Sequence, residues 1–251
     1  MGRIVFENIH KSFGDLTVLR GIDLVVEPGE VFYVIGQSGA GKSVLVKHLV
    51  GLIRPDRGRI RLDDEVVTDL SEHELYRIRK RCAMVFQNAT LFDSMSLLEN
   101  VALPIRKHRD VSQTEARDLA LDYLARVDMD RYADRYPAAF GDGMRKKVAI
   151  ARALTMEPEY VIFDEPTTGI DPMSASMVDD LIAYLSDELG VTSIVISHDL
   201  RSIFGVADRI AMLYKGKLRL DGTPEAFRRT DDPVVRQFIE GEPEGPMEEP
   251  G

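Results

Sequence analysis

Residues 36 to 43 read Gly36-Gln37-Ser38-Gly39-Ala40-Gly41-Lys42-Ser43, glycines at fixed spacing followed by lysine and serine. At average residue usage only ~0.01 chance matches to that pattern are expected in a chain of this length. Upstream, Val31-Phe32-Tyr33-Val34-Ile35 is a β-branched and aromatic run that stops at the first glycine. Downstream, Val44-Leu45-Val46-Lys47-His48-Leu49-Val50 continues as a buried helix. A strand, a glycine-rich turn and a helix N-terminus direct several backbone N–H groups at one anionic pocket. The glycines let the backbone approach phosphate oxygens closely, Lys42 supplies a cation for β- and γ-phosphates, and Ser43 supplies a hydroxyl for Mg²⁺. The expected ligand is a nucleoside triphosphate.

A chain of 251 residues can bury a full core. Its 32 Lys and Arg against 42 Asp and Glu give a formal net charge of −10, which disfavours a broad nucleic-acid-binding face. No apolar stretch approaches the ~18 residues of a spanning helix, and Met1-Gly2-Arg3-Ile4 does not start a signal-peptide core. Any membrane role is therefore expected to run through a partner. Cys82 is the single cysteine, so an intrachain disulfide is impossible, as suits a reducing cytosol. Its neighbours Ala83-Met84-Val85 mark it as a small core residue rather than a reactive thiol.

Residues 3 to 9 and 18 to 26 read as strands of a small sheet leading to the glycine-rich loop. Residues 58 to 68 read as a hairpin turning at Asp63-Asp64, and Met84-Val85-Phe86 as another strand. The middle third is helical. Ser112-Gln113-Thr114-Glu115 forms a capping box, and Ala116, Leu119, Ala120, Tyr123, Leu124 and Val127 follow at helical spacing. A second helix is expected from about Gly143 to Leu154. Strand signals return at residues 160–163 and 191–196, with a long helix between them that has Asp171 as candidate N-cap and Pro172 at its first position. The order is a β-rich start, an α/β core, a helical insertion and the core resumed. From Glu240 onward Glu and Pro dominate, so that tail is expected to be disordered or ordered only by a partner.

Three further sites carry chemistry. The apolar strand Tyr160-Val161-Ile162-Phe163 ends in Asp164-Glu165, and strand alternation sends the two acids to different sides. Asp164 beside the phosphate loop can hold Mg²⁺, while Glu165 can orient and deprotonate an attacking water. Ile194-Val195-Ile196-Ser197-His198 ends another apolar strand in a histidine, either a structural hydrogen-bonder or a contact for the γ-phosphate. Gln87, after the strand at 84–86, offers a neutral amide that can reach Mg²⁺ or water.

The order phosphate loop, Gln87, glycine-containing helix start, Asp164-Glu165, Asp171 and His198 resembles the nucleotide-binding subunits of ATP-binding-cassette (ABC) transporters over Ile4 to about Ala226. The resemblance implies an ABC-type α/β fold: a phosphate-loop core with an antiparallel β subdomain (residues 1–87 and 156–222), a helical signature subdomain (88–155) and a C-terminal extension (223–251). It implies ATP with Mg²⁺ as cofactors and a head-to-tail pair of copies, each ATP lying between one phosphate loop and the partner's signature segment. It makes Phe13 the adenine-stacking aromatic, although Phe13 could instead pack in the first sheet. It places Asp171 at the dimer seam, a role compatible with capping a helix.

The signature segment departs from the family's Leu-Ser-Gly-Gly pattern and reads Phe140-Gly141-Asp142-Gly143-Met144. Gly141 replaces the serine, and Asp142 adds a negative charge where an anion docks. Two like charges ~4 Å apart repel by roughly 1 to 4 kcal/mol, depending on dielectric. The preferred reading makes Asp142 the N-cap of the following helix, its carboxylate turned to backbone N–H groups. ATP binding is then expected to survive while dimer closure or turnover is weakened.

Within the family, Leu91-Phe92-Asp93-Ser94, Asn100-Val101-Ala102-Leu103-Pro104 and Asp232-Pro233-Val234-Val235-Arg236-Gln237-Phe238-Ile239-Glu240-Gly241 look like the ATPases of mammalian-cell-entry (MCE) lipid transporters, the Mla-type phospholipid systems. That likeness implies an integral-membrane permease, an MCE-type lipid-binding protein, a small regulatory subunit and a place on the cytoplasmic face of the inner membrane. It also implies that the C-terminal extension packs on the neighbouring subunit. Val234, Val235, Phe238 and Ile239 alone read as a short amphipathic helix seeking a partner.

Overall fold

The computed structural model describes residues 2–242 and 244–247. Among the described residues, ten strands form two sheets. The smaller is antiparallel, in the order β2 (Leu16–Val26), β1 (Ile4–Phe13), β4 (Arg57–Leu62), β5 (Glu65–Val66). Its strand β1 buries Ile4, Phe6 and Ile9 and exposes Glu7 and Asn8, as a strand with one solvated face should. The hairpin read over residues 58–68 is β4 and β5, turning at Asp63 with φ 57°.

The larger sheet has the order β10 (Lys217–Gly222), β9 (Arg209–Tyr214), β3 (Val31–Ile35), β8 (Thr192–Ile196), β7 (Tyr160–Asp164), β6 (Cys82–Val85). All its pairings are parallel except the β9–β10 hairpin at one edge. β3 and β8 are buried at every position, the uninterrupted apolar pattern of a strand covered on both faces. Alternation divides the residues of the central strands, β3 and β7 among them, between two cores. Val31, Tyr33, Ile35, Val161 and Phe163 face one, while Phe32, Val34, Tyr160 and Ile162 face the other. Cys82 lies in the second core, where burial pushes its thiol up to about 12 and leaves it an unreactive small side chain.

The phosphate-loop helix is α1 (Lys42–Leu49), and α2 (Glu72–Arg81) leads into β6. The middle of the chain holds α3 (Leu97–His108), α4 (Gln113–Ala125), two short 3₁₀ turns and α5 (Asp142–Leu154). Capping boxes start α2 at Ser71/Glu74 and α3 at Ser96/Glu99, giving two helices that the periodicity reading did not single out. Ser112 caps α4 by accepting from the Glu115 N–H at 3.2 Å. The long helix after Asp171 is α6 (Pro172–Asp187), followed by α7 (Leu200–Val206).

The C-terminal segment corrects one expectation. After α8 (Pro224–Arg229), Asp232 caps α9 (Pro233–Glu240), accepting from the Val234 and Val235 N–H groups at 2.9 and 3.2 Å. Val234 and Val235 enter this chain's own core. Beyond Glu240 the described tail folds back rather than remaining featureless. The Met247 N–H donates to Gln237 Oε1 at 2.7 Å, Met247 is 7% exposed, and the Tyr214 hydroxyl reaches the Pro246 carbonyl at 3.3 Å. One apolar side chain with a satisfied backbone suffices to dock a segment whose composition is otherwise charged and proline-rich. Residues 243 and 248–251 of that tail lie outside the described residues.

Candidate nucleotide and divalent-cation site

Three adjacent parallel strands end together. Val34 of β3 pairs with Ile196 of β8, and Ile196 also pairs with Asp164 of β7. Whatever follows Ile35, Asp164 and Ile196 therefore emerges at one edge of the sheet, where open α/β sheets bind ligands. Here those continuations are the glycine-rich loop, Glu165, and Ser197-His198. The loop, Glu165 and His198 line one cleft of 910 Å³, together with Phe13, Gln87 and Thr168, while Ser197 is buried beneath it.

The loop geometry requires its glycines. Gly36 has φ 138°, and a Cβ there would lie 2.2 Å from the Leu213 carbonyl oxygen. Gly41, the α1 N-cap, has φ 98° and would meet Leu19 at 2.6 Å. The first turn of α1 carries no acid and no side-chain cap, so its N–H groups point toward an anion without competition. Lys42 is 9% exposed, and its Nζ donates to the Gly36 and Gln37 carbonyls at 2.7 and 3.0 Å. Burial pulls its pKa down, against the opposing pull of the Glu165 and Asp164 charges. A phosphate at the loop would add a counter-charge beside that ammonium.

Ser43 and Asp164, separated by 121 positions in sequence, meet directly: the Ser43 hydroxyl donates to Asp164 Oδ1 at 2.9 Å. A hydroxyl and a carboxylate converging beside a phosphate pocket suit Mg²⁺, which takes few protein oxygens and completes its shell with phosphate and water. The donor set therefore fits the ion. Gln87, just beyond β6, lines the same cleft.

Glu165 and Asp164 line the same cleft rather than opposite sides of the sheet, because Glu165 lies beyond the end of β7, and they hold different partners. Glu165 sits in the left-handed region at φ 54°, and its N–H donates to the Ile196 carbonyl at 2.9 Å. Its carboxylate oxygen Oε2 accepts from the Thr168 hydroxyl at 2.9 Å and lies 2.8 Å from His198 Nδ1. A non-glycine residue held at positive φ costs on the order of 1–3 kcal/mol and marks a place where the backbone is overdetermined. The arrangement leaves a carboxylate oriented by two neighbours, suited to accept a proton. Thr168 was not singled out in sequence; its only signal was a Thr167-Thr168-Gly169 turn after the acids.

Phe13 ends β1 at the cleft and is 48% exposed, with Lys11 Nζ 5.4 Å from its ring centre. It is not packed inside the first sheet, and its open face suits stacking on a planar base. Asp171 is the α6 cap, accepting from the Met173 and Ser174 N–H groups at 3.0 Å each and from the Ser174 hydroxyl at 2.6 Å. The Ser174 hydroxyl and these N–H groups hold its carboxyl below the usual range.

The signature segment lies away from this cleft. Gly141, Asp142, Gly143 and Met144 do not line it, and Gly143 and Met144 border a separate hollow of 550 Å³ beside Tyr132 and Met177. Asp142 corrects the expectation of a cap. Gly141 is the N-cap and makes no side-chain cap bond, whereas Asp142 is the first helical residue and pairs with Arg145 one turn on. An acid at that position has its carboxylate outside the helix start, where a guanidinium three residues on captures it. Gly143 is needed for close packing, since a Cβ there would lie 2.6 Å from Ser174. Gly141 is not: at φ −69° a Cβ there meets nothing within 4 Å.

Known proteins supply the family context. The profile of the family described as "ABC transporter" matches residues 19–168. The chain is 36% identical over 244 residues to the intermembrane phospholipid transport system ATP-binding protein MlaF of Haemophilus influenzae, covering 97% of this chain and 92% of that protein. It is also 36% identical over 244 residues to the probable ribonucleotide transport ATP-binding protein mkl of Mycobacterium bovis, covering 97% of this chain and 68% of that one. A solved structure described as a dimeric post-hydrolysis state of the ATP-binding cassette MJ0796, bound to ADP and Pi, superposes with a TM-score of 0.81 at 30% identity, covering 88% of this chain and 98% of the other. The chain belongs to the ABC transporter family and is one of its ATP-binding, ATP-hydrolysing subunits.

Proposed function

We infer that this subunit powers phospholipid transport, as the ATPase of an Mla-type system with an integral-membrane permease and an MCE-type lipid-binding protein. The observation that carries the reading is the match to MlaF along almost the full length of both chains, including the C-terminal segment. The relative named for ribonucleotide transport is equally identical, but this chain spans only 68% of it. None of the described helices is long and apolar enough to cross a membrane. The proposed location is the cytoplasmic face of the inner membrane, held there by the permease. A small regulatory subunit is a further expected partner, and no nucleic acid is needed.

Chemistry at the cleft follows from its side chains. Backbone N–H groups of residues 36–43 cradle the phosphates, Lys42 neutralises β- and γ-oxygens, and Phe13 stacks on the adenine. Mg²⁺, held by Ser43, Asp164 and Gln87, would supply charge neutralisation for the phosphates. Glu165 takes a proton from the water that attacks the γ-phosphorus. His198 holds Glu165 and the water in place. The bond from the γ-phosphorus to the β–γ bridging oxygen breaks, leaving ADP and phosphate.

The signature segment lies away from its own cleft, so a head-to-tail second copy would complete each site. Asp171 and Gly141–Met144 then lie at the seam. A hollow of 210 Å³ between β6 and α5, bordered by Met84, Pro104, Arg152 and Met156, is the proposed seat of the permease. Loss of the γ-phosphate bridge lets the copies part, and that seat carries the motion outward.

Three outcomes are expected. Glu165→Gln retains ATP binding and lowers phosphate release by at least about 100-fold, and the ATP-bound variant accumulates as a dimer on size exclusion. Phosphate release at the wild-type rate would remove Glu165 from its role. The pair Gly141→Ser with Asp142→Gly, sterically open at residue 141, raises steady-state ATPase by about tenfold through one added charge-assisted hydrogen bond. An unchanged rate would show that the altered signature does not limit turnover. Finally, the native complex purified through this subunit carries phospholipid by mass spectrometry, with a permease and an MCE-type protein. A complex carrying nucleotide cargo and no lipid would instead make this the ATPase of an ABC transporter for another substrate.

A further inference from the structure

Lys146 has no part in the chemistry above, yet it is only 2% exposed. It lies on α5, just past the signature residues, and reaches across to the loop that follows β7. Its Nζ donates to the Thr168 carbonyl at 2.7 Å and reaches the Glu165 carbonyl at 3.4 Å. Burying an ammonium is unfavourable without partners. Here burial pulls the lysine pKa down, and the charges of Asp142 and Glu165 oppose that shift.

These two carbonyls bracket the turn that aims the Glu165 carboxylate. Glu165 sits at φ 54°, a conformation that persists only where its surroundings overdetermine it. Strand β8 holds one side of the turn, through the Glu165 N–H to the Ile196 carbonyl at 2.9 Å. The other side closes on itself, with the Thr168 N–H directed at the Glu165 carbonyl at 3.4 Å and the Thr168 hydroxyl on the Glu165 carboxylate. Lys146 ties the backbone of this second side to another element, α5. A flexible four-carbon stem with three donors suits the task of gathering two carbonyls at different distances.

We propose that Lys146 is a positioning residue for Glu165, clamping the Glu165 and Thr168 carbonyls so that the carboxylate faces the attacking water. The inference rests on the assignment of Glu165 and the head-to-tail pairing made above, and it adds a connection between them. Helix α5 opens with the segment that meets the partner's ATP, while its Lys146 grips the turn that acts on this chain's own ATP. A shift of α5 on closure therefore moves Thr168 and, with it, the Glu165 carboxylate. Each copy would sense one nucleotide and align its base for the other.

The test uses the full chain with Lys146→Met, which keeps the length and apolar stem but removes the donors. The expected result is a split: kcat falls at least about tenfold while the Kd for ATP, read by fluorescence titration, stays within about twofold. Lys146→Arg, which keeps donors, recovers most of the lost kcat. In the Glu165→Gln background the same methionine substitution leaves the residual hydrolysis rate unchanged, because the base it positions is already gone. The inference is overturned if Lys146→Met turns over within about twofold of wild type, or if its loss is undiminished in the Glu165→Gln background. Should the methionine variant fail to fold, Lys146→Gln, too short to grip both carbonyls, must show the same split of kcat from Kd. An inactive wild-type chain would instead remove the Glu165 assignment and the inference with it.

Discussion

The register of three neighbouring parallel strands governs the rest of the structure. β3, β8 and β7 terminate level with one another, through Val34 opposite Ile196 and Asp164 opposite Ile196. Because side chains alternate along a strand, a slip of one residue in β7 would turn Asp164 away from Ser43 and exchange it with its neighbours. The buried, uninterrupted apolar strands prevent that slip, since each has its residues divided between two packed cores. The 2.9 Å contact between Ser43 and Asp164 is the local consequence. Packing on both sheet faces thus sets the position of a polar pair at the sheet's edge.

The cleft draws on every layer of the molecule. Phe13 arrives from the small antiparallel sheet, where Asp56 pairs with Lys11 at 2.7 Å close to the aromatic ring. Thr168 and His198 arrive from loops and converge on Glu165. The signature helix contributes from behind rather than in front: its Lys146 reaches the Glu165 turn while its first residues face elsewhere. Such a cleft binds on one side and is left open on the other, the geometry that a second copy is suited to close.

Sequence was most informative where backbone geometry dictates residue type. Gly36 and Gly41 occupy conformations and approaches that exclude a Cβ, so their spacing marks the loop unambiguously. Asp164, Glu165 and His198 were recognisable because each follows an apolar run too short and too β-branched to be a helix. Phe13 was assigned through family resemblance, and no local pattern distinguished a stacking aromatic from a packed one until its exposure was seen. Asp142 shows where local reading stops, since a cap and a first-turn acid differ by one residue and by the presence of Arg145. Helices α2 and α3 carried capping boxes at Ser71/Glu74 and Ser96/Glu99, but their interiors are mostly polar or interrupted by Pro104, which blurs the periodicity. Lys146, Thr168 and Met247 escaped for a different reason. Their roles depend on partners in other elements, and no periodicity encodes a lysine that meets a carbonyl 22 residues away.

The central claim is that the level strand ends assemble a binding site for a magnesium–triphosphate complex. Calorimetric titration of the purified chain with ATP, with and without Mg²⁺, tests it most directly. The account predicts saturable binding of one nucleotide per chain that is strengthened by Mg²⁺ and lost in Lys42→Ala. Absence of binding by the wild-type chain in the presence of Mg²⁺, or unchanged binding by Lys42→Ala, would contradict it.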